Sequence, residues 1–153
     1  MLITTQLSYR YGIAPNTPYA IAMYSVAHAG ALADAEQAQT ILQHALQLIE
    51  REEHSSQRAR VLTLRGAFIA HWSHPFSSTF APLEEGARAA RIIGDAEFRG
   101  YALFFHALNV FFSTGRLEPL LRNMRGSLAE LRRQRSGQSA YVMAIWLQTI
   151  RNL

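Results

Sequence analysis

Apolar residues recur along this chain three and four apart, the spacing of one face of an α-helix, and no run of Val, Ile and Thr alternates as a strand would. The cleanest stripe is Leu117, Leu120, Leu121, Met124, Leu128 and Leu131, with Glu118, Arg122, Arg125 and Arg132 pointing the other way. A second runs Ala35, Ala38, Leu42, Ala45, Leu46 and Ile49, and a third Ala59, Leu62, Gly66, Ile69 and Ala70. Tyr19, Ala22, Met23, Val26 and Ala27 make a weaker stripe, and Tyr141, Met143, Trp146, Leu147 and Ile150 make the last. One segment is apolar on nearly every side: Phe98, Tyr101, Ala102, Phe104, Phe105, Leu108, Phe111 and Phe112. A helix apolar all round is a buried one, so this segment is expected at the centre, with Phe105 and Leu108 inside. Phe105→Ala is then expected to cost about 3–5 kcal/mol, as large core truncations do.

Structure-breaking residues punctuate these stripes at Gly12, Gly30, His54-Ser55, Ser73-His74-Pro75, Gly94, Gly115 and Gly137. Taken alternately they repeat at roughly 40 residues, the spacing of stacked helix pairs. Gly12 reads as a left-handed cap closing a helix over 2–11. Thr17 reads as an N-cap with Pro18 at the first helical position. Asp34, Ser55 or Ser56, and Asp95 are the caps expected for the next helices. Pro82 sits near the first turns of a fourth helix ending at Ile93, so residues 76–81 are expected to be irregular.

Short connections force neighbouring helices to run antiparallel, which pairs residues 17–53, 56–93 and 95–135. The expectation is an all-α fold of about seven helices, a right-handed stack of antiparallel pairs forming a single domain over residues 1–153. The first segment reads as the second helix of a pair and the last as the first helix of another. Natural arrays finish with polar capping repeats, so the chain is expected to be a fragment of a longer solenoid.

Composition narrows the function. Apolar residues make up 49% of the 153 and charged residues 17%, which excludes a disordered chain. The longest apolar run is broken by His106 and Asn109 and is too short to span a bilayer. The first residues lack the basic start and apolar core of a secretion signal. No cysteine is present, so no disulfide framework or thiolate metal site exists. A cytoplasmic location is the expectation. The net charge is +4 and every basic residue besides histidine is arginine. That composition fits genomic codon bias, with a phosphate or carboxylate surface as the second reading, since guanidinium is a planar bidentate donor.

Candidate chemistry is sparse. His71 and His74 could share a metal, but zinc needs three or four ligands and no third lies near in sequence. Glu84-Glu85 and Glu52-Glu53 are adjacent, so their side chains diverge by about 100° on a helix and read as solvated faces. No serine has a nucleophile-elbow setting, and the glycines stand alone rather than in a phosphate loop. The aromatics Phe104, Phe105, Phe111, Phe112 and Trp146 read as packing between layers before a ligand pocket. No catalytic residue, metal or cofactor is expected, and the chain is not expected to be an enzyme. The densest basic patch is Arg122, Arg125, Arg132, Arg133 and Arg135. It is a possible interaction surface, with three readings: cations at a helix C-terminus, an acidic protein partner, and, last, nucleic acid.

Two resemblances add to this. Residues 115–121, Gly-Arg-Leu-Glu-Pro-Leu-Leu, and 30–35, Gly-Ala-Leu-Ala-Asp-Ala, resemble the turn and second helix of tetratricopeptide units, at a longer period. Residues 11–20 (Tyr-Gly-Ile-Ala-Pro-Asn-Thr-Pro-Tyr-Ala), 68–75 (Phe-Ile-Ala-His-Trp-Ser-His-Pro) and 94–102 (Gly-Asp-Ala-Glu-Phe-Arg-Gly-Tyr-Ala) occur in that order. They resemble the helical-repeat region of large bacterial signalling proteins. Those combine a protein-kinase-like domain, a predicted P-loop ATPase, a sensor domain and a histidine kinase. The resemblance implies a spacer, dimer surface or lever between the ATPase and the sensor or kinase, with no active site carried over. Partners would be other domains of such a kinase, or a second copy, with no membrane contact. The alternative is a stand-alone regulator that binds a peptide or small effector in the concave face of the repeat.

Overall fold

In the computed structural model, which describes residues 6–7, 10, 12–51, 56–114, 116–133 and 137–152, the stripes resolve into seven α-helices. They are α1 (Thr17–Ala31), α2 (Ala35–Arg51), α3 (Arg58–Leu64), α4 (Phe80–Ile93), α5 (Ala96–Thr114), α6 (Leu117–Arg133) and α7 (Gly137–Arg151). α3 continues directly into a π turn, Arg65–Ile69, and a 3-10 turn, Ala70–Trp72; a second 3-10 turn, Phe76–Thr79, leads into α4. No strand occurs among the described residues, and the fold is all-α. His54, Ser55, Gly115, Glu52, Glu53 and most of segment 2–11 lie outside the described residues.

Two caps act as their residue types require. Asp34 Oδ1 accepts the Gln37 N–H at 2.9 Å, and Asp95 Oδ1 accepts the Phe98 N–H at 3.1 Å. α4 closes with Gly94 at φ 72° while the Asp95 N–H reaches back to the Ala90 carbonyl at 2.9 Å, a Schellman ending. Other boundaries differ from expectation. Thr17 is the first residue of α1 rather than its cap, and its hydroxyl accepts the Ala14 N–H at 2.9 Å. Gly30 lies inside α1, and the left-handed residue after that helix is Ala33 at φ 53°. Ser56 lies in a turn and α3 begins two residues later. Gly137 opens α7.

α1 packs on α2, α3 on α4, α4 on α5, and α6 on α7 more closely than on α5. Helices two apart also touch: α1 with α3, α3 with α5, and α5 with α7. Residues from α1, α2 and α3 with its π turn, among them Ile21, Leu42, Ile49, Val61 and Ile69, form one apolar core. Ala107, Leu120, Met124, Leu131, Met143 and Ile150 of α5, α6 and α7 form another. Leu83 and Ala87 of α4 with Ala102 of α5 lie between them.

The most enclosed segment is α3 with its π turn, not α5. Val61, Leu62, Thr63, Leu64, Gly66, Ala67, Ile69 and Ala70 are all buried. On α5 the buried positions are Phe98, Arg99, Gly100, Ala102, Ala107 and Asn109, whereas Phe105 and Leu108 are half-buried and Phe112 is 56% exposed. Helices approach closely where side chains are small, so the large rings of α5 are pushed to the seams. There they meet other aromatics: Phe105 on Phe68 and Phe104, Phe111 on Phe112 and Trp146. The stripe on α1 is also rotated. Pro18, Ile21, Ala22, Ser25 and Ala29 are buried, and Ser25 fits there because its hydroxyl donates to the Ala22 carbonyl at 2.7 Å.

Glycine sets the approach of α3 and α4. A Cβ on Gly66 would lie 2.5 Å from Leu83 Cγ and 3.1 Å from the Thr79 carbonyl oxygen. A Cβ on Gly86 would lie 3.0 Å from Thr63 Oγ1 and 3.3 Å from the Ala59 carbonyl oxygen. Asn109 of α5 enters the same junction, donating from Nδ2 to the Gly66 carbonyl at 3.2 Å and to Thr79 Oγ1 at 2.9 Å. Thr79 passes its own hydroxyl proton to the Phe76 carbonyl at 2.6 Å.

Gly66→Ala and Asn109→Ala test this junction, with Gly126→Ala on α6 as the control, all measurable by urea denaturation. Gly66→Ala lowers stability by about 1–3 kcal/mol through overpacking against fully buried Leu83. Gly126→Ala, in open space on α6, raises it by about 0.5–1 kcal/mol through helix propensity. Equal effects at the two glycines would remove the steric account. Asn109→Ala costs about 1–3 kcal/mol because it leaves buried polar partners unmatched. An unchanged denaturation midpoint would contradict that role.

Candidate interaction surface

Two groups of arginines differ in what they meet. The first group holds helices together. Arg58 of α3 pairs with Glu85 of α4, and Arg99 of α5 with Glu130 of α6. Arg60 of α3 meets Asp95 at 3.1 Å while its guanidinium lies 5.5 Å from the Tyr19 ring and 5.0 Å from the Phe98 ring. One cation therefore joins α1, α3 and α5, through the same aspartate that caps α5.

The second group is on α6. Arg122, Arg125, Arg132 and Arg133 are all exposed. At 100° per residue they share an arc of about 100°, and at 1.5 Å rise they extend over roughly 16 Å. None of the four pairs with an acid among the described residues. Glu118 starts the same strip, while Glu130 is turned away onto Arg99. Arg135 lies outside the described residues. The helix dipole favours Arg132 and Arg133, which sit in the last turn of α6. It does not reach Arg122 and Arg125, because its influence decays within one turn. The strip was visible in the sequence. Arg58, Arg60 and Arg99 as interhelical clamps were not, because their partners lie 27 to 35 residues away.

The other candidates resolve into packing. His71 stacks flat on Phe76 at 5.5 Å and leans on Trp72 at 5.6 Å, and His74 is exposed. Among the described residues no three His, Asp or Glu side chains converge. Glu84 and Glu85 do diverge, but each is engaged: Glu85 with Arg58 and Glu84 with His106 at 3.3 Å. The space among Phe104, Leu108, Phe111, Met124 and Trp146 holds about 0 Å³, so those rings fill a seam and line no pocket. Among the described residues no helix is long and apolar enough to cross a membrane.

Two partly buried histidines carry a pH signature. Burial pushes the His71 imidazole below its ordinary value. Burial also lowers His106, with the neighbouring Glu84 carboxylate opposing it. Unfolded histidine titrates near 6.5, so above that pH neither state is protonated and no penalty arises. As pH falls below about 6.5 the unfolded chain takes up protons first, and folded stability drops until the lowered values are passed. Thermal melts from about pH 7.5 to 5 therefore show a falling midpoint, less steep in His106→Gln. An identical slope in that variant would count against His106.

No family model, no curated protein and no solved structure matches this chain.

Proposed function

We propose that this chain is a non-catalytic helical-repeat scaffold for protein–protein interaction or interdomain coupling in bacterial signal transduction. In this reading it is a tetratricopeptide-like stack, a piece of a multidomain ATPase and sensor kinase, and it meets an acidic protein surface. The carrying observation is the strip of four exposed arginines on α6, none of them ion-paired among the described residues, set against inward arginines that are. Exposed cations that do not stabilise the fold are free to steer and hold an acidic partner. The packing order supports the stack: each helix rests mainly on elements one or two places away, and α1, α3, α5 and α7 touch in succession. Tyr141 and Ile145, 69% and 49% exposed on α7, add apolar anchors for a neighbouring domain.

The test is binding of the full chain to a labelled polyglutamate peptide and, separately, to a DNA duplex at physiological salt. Changing Arg122, Arg125, Arg132 and Arg133 together to glutamate is expected to weaken peptide binding by at least about tenfold, with helicity unchanged. Tighter binding to the duplex, with a steep salt dependence, would replace the protein-partner reading with a nucleic-acid one. Binding to neither would remove the strip as an interaction surface.

A further inference from the structure

Arg65 is the one arginine of the α3 segment without an acid. Arg58 and Arg60, seven and five residues earlier, are both ion-paired, whereas Arg65 makes no ion pair with any described residue. It is the first residue of the π turn, and π turns recur at functional sites because the extra residue re-aims the side chains around it. Arg65 lines a surface cleft of about 80 Å³ between α2 and the turns that follow α3. Leu42, Ile69 and Ala70 form its apolar floor; Gln39, Gln43, His74 and Ser78 line the rest with Arg65. No aspartate or glutamate lines it.

The donor set selects the ligand. Arg65 offers a planar fork of N–H groups and no acceptor, and the two carboxamides stand one helical turn apart on α2. His74 adds a ring nitrogen. Ser78 Oγ already donates to the Pro75 carbonyl at 2.7 Å, which fixes its position at the rim. A cleft rich in donors, with one permanent cation and no anion, favours a compact oxyanion. Size agrees. The cleft is about half the roughly 150 Å³ that accommodates benzene, and several times the roughly 10–15 Å³ of the same measure that one water needs. A phosphoryl group fits where a ring does not, and the open mouth leaves the rest of an ester in solvent.

We propose that this cleft binds a phosphoryl group, as free phosphate or as a phosphate monoester, with Arg65 as its principal ligand. This site is separate from the α6 strip and does not rest on the scaffold reading.

The experiment is an amide NMR titration of the full chain with sodium phosphate, ionic strength held constant with sodium chloride. The amides of Gln43, Ile69 and Ala70 are expected to shift saturably, with a dissociation constant of about 1 mM for so small a ligand. Arg65→Gln is expected to weaken binding at least tenfold while helicity is retained. Glycerol 2-phosphate binding more tightly than phosphate supports the monoester; weaker binding supports the free ion. Shifts that stay linear, or that sodium chloride alone reproduces, overturn the site. So does an unchanged curve in Arg65→Gln. Should that variant fail to fold, Gln43→Ala, exposed on α2, is expected to weaken binding about threefold, and an unchanged curve there overturns the site equally.

Discussion

The contact between Gly66 and Leu83 governs how this chain assembles. Leu83 is fully buried, and it reaches α3 only because residue 66 has no side chain. Around that contact three separate segments become one junction. Thr79 sits in the 3-10 turn before α4, and Asn109 comes from α5 to bond both Thr79 and the Gly66 carbonyl. Leu83 and its neighbours lie between the core of α1–α3 and the core of α5–α7. Loosening the junction would leave two small cores bridged by the partly buried Arg60–Asp95 pair, and one ion pair contributes little on its own. Burying a carboxamide here is tolerable because both its hydrogens are used, and an amide satisfied in this way also fixes the register of the helices it joins.

Charge is divided between holding and presenting. Arg58, Arg60 and Arg99 each bridge helices that are neighbours in the packing, and each acid they meet comes from the helix they must align. Asp95 has two functions at once, capping α5 and receiving Arg60, so one residue sets both the start of α5 and its distance from α3. The α6 arginines take no part in this. Their helix is held by Leu120, Met124, Leu128 and Leu131 on its opposite face. Removing their charge would leave that apolar contact intact, so the strip is constrained by what it meets outside the fold.

Residue spacing alone disclosed most of the helices and little of what joins them. The stripes of α2 and α6 are periodic over four turns, and Ala38, Leu42, Ala45, Leu46 and Ile49, like Leu120, Met124, Leu128 and Leu131, are buried as their spacing requires. The caps Asp34 and Asp95 are local and therefore readable. The π turn at residues 65–69 was not, because the partners of Gly66 are Leu83 and Asn109, 17 and 43 residues away in sequence. Phe105 misled for a related reason: hydrophobicity says a ring avoids water, but only packing decides whether a core or a seam receives it. Arg122, Arg125, Arg132 and Arg133 were visible as a patch because one helix carries them. That no acid from another helix pairs with them depends on the packing. Arg65 did leave a trace, as a lone charge inside the apolar run 61–70, which a stripe-based reading passes over.

That trace and the junction are physically one feature. Arg65 opens the π turn and Gly66 follows it, so the backbone that turns Arg65 toward α2 is the backbone whose next carbonyl is held by Asn109. The two adjacent residues face different ways, Arg65 toward the cleft and Gly66 toward Leu83. A change in the core at Asn109 or Thr79 therefore reaches the cleft through a single peptide unit, while a change on α6 has the whole second core between it and Arg65. Of the two basic surfaces, only the cleft is mechanically tied to the centre of the molecule.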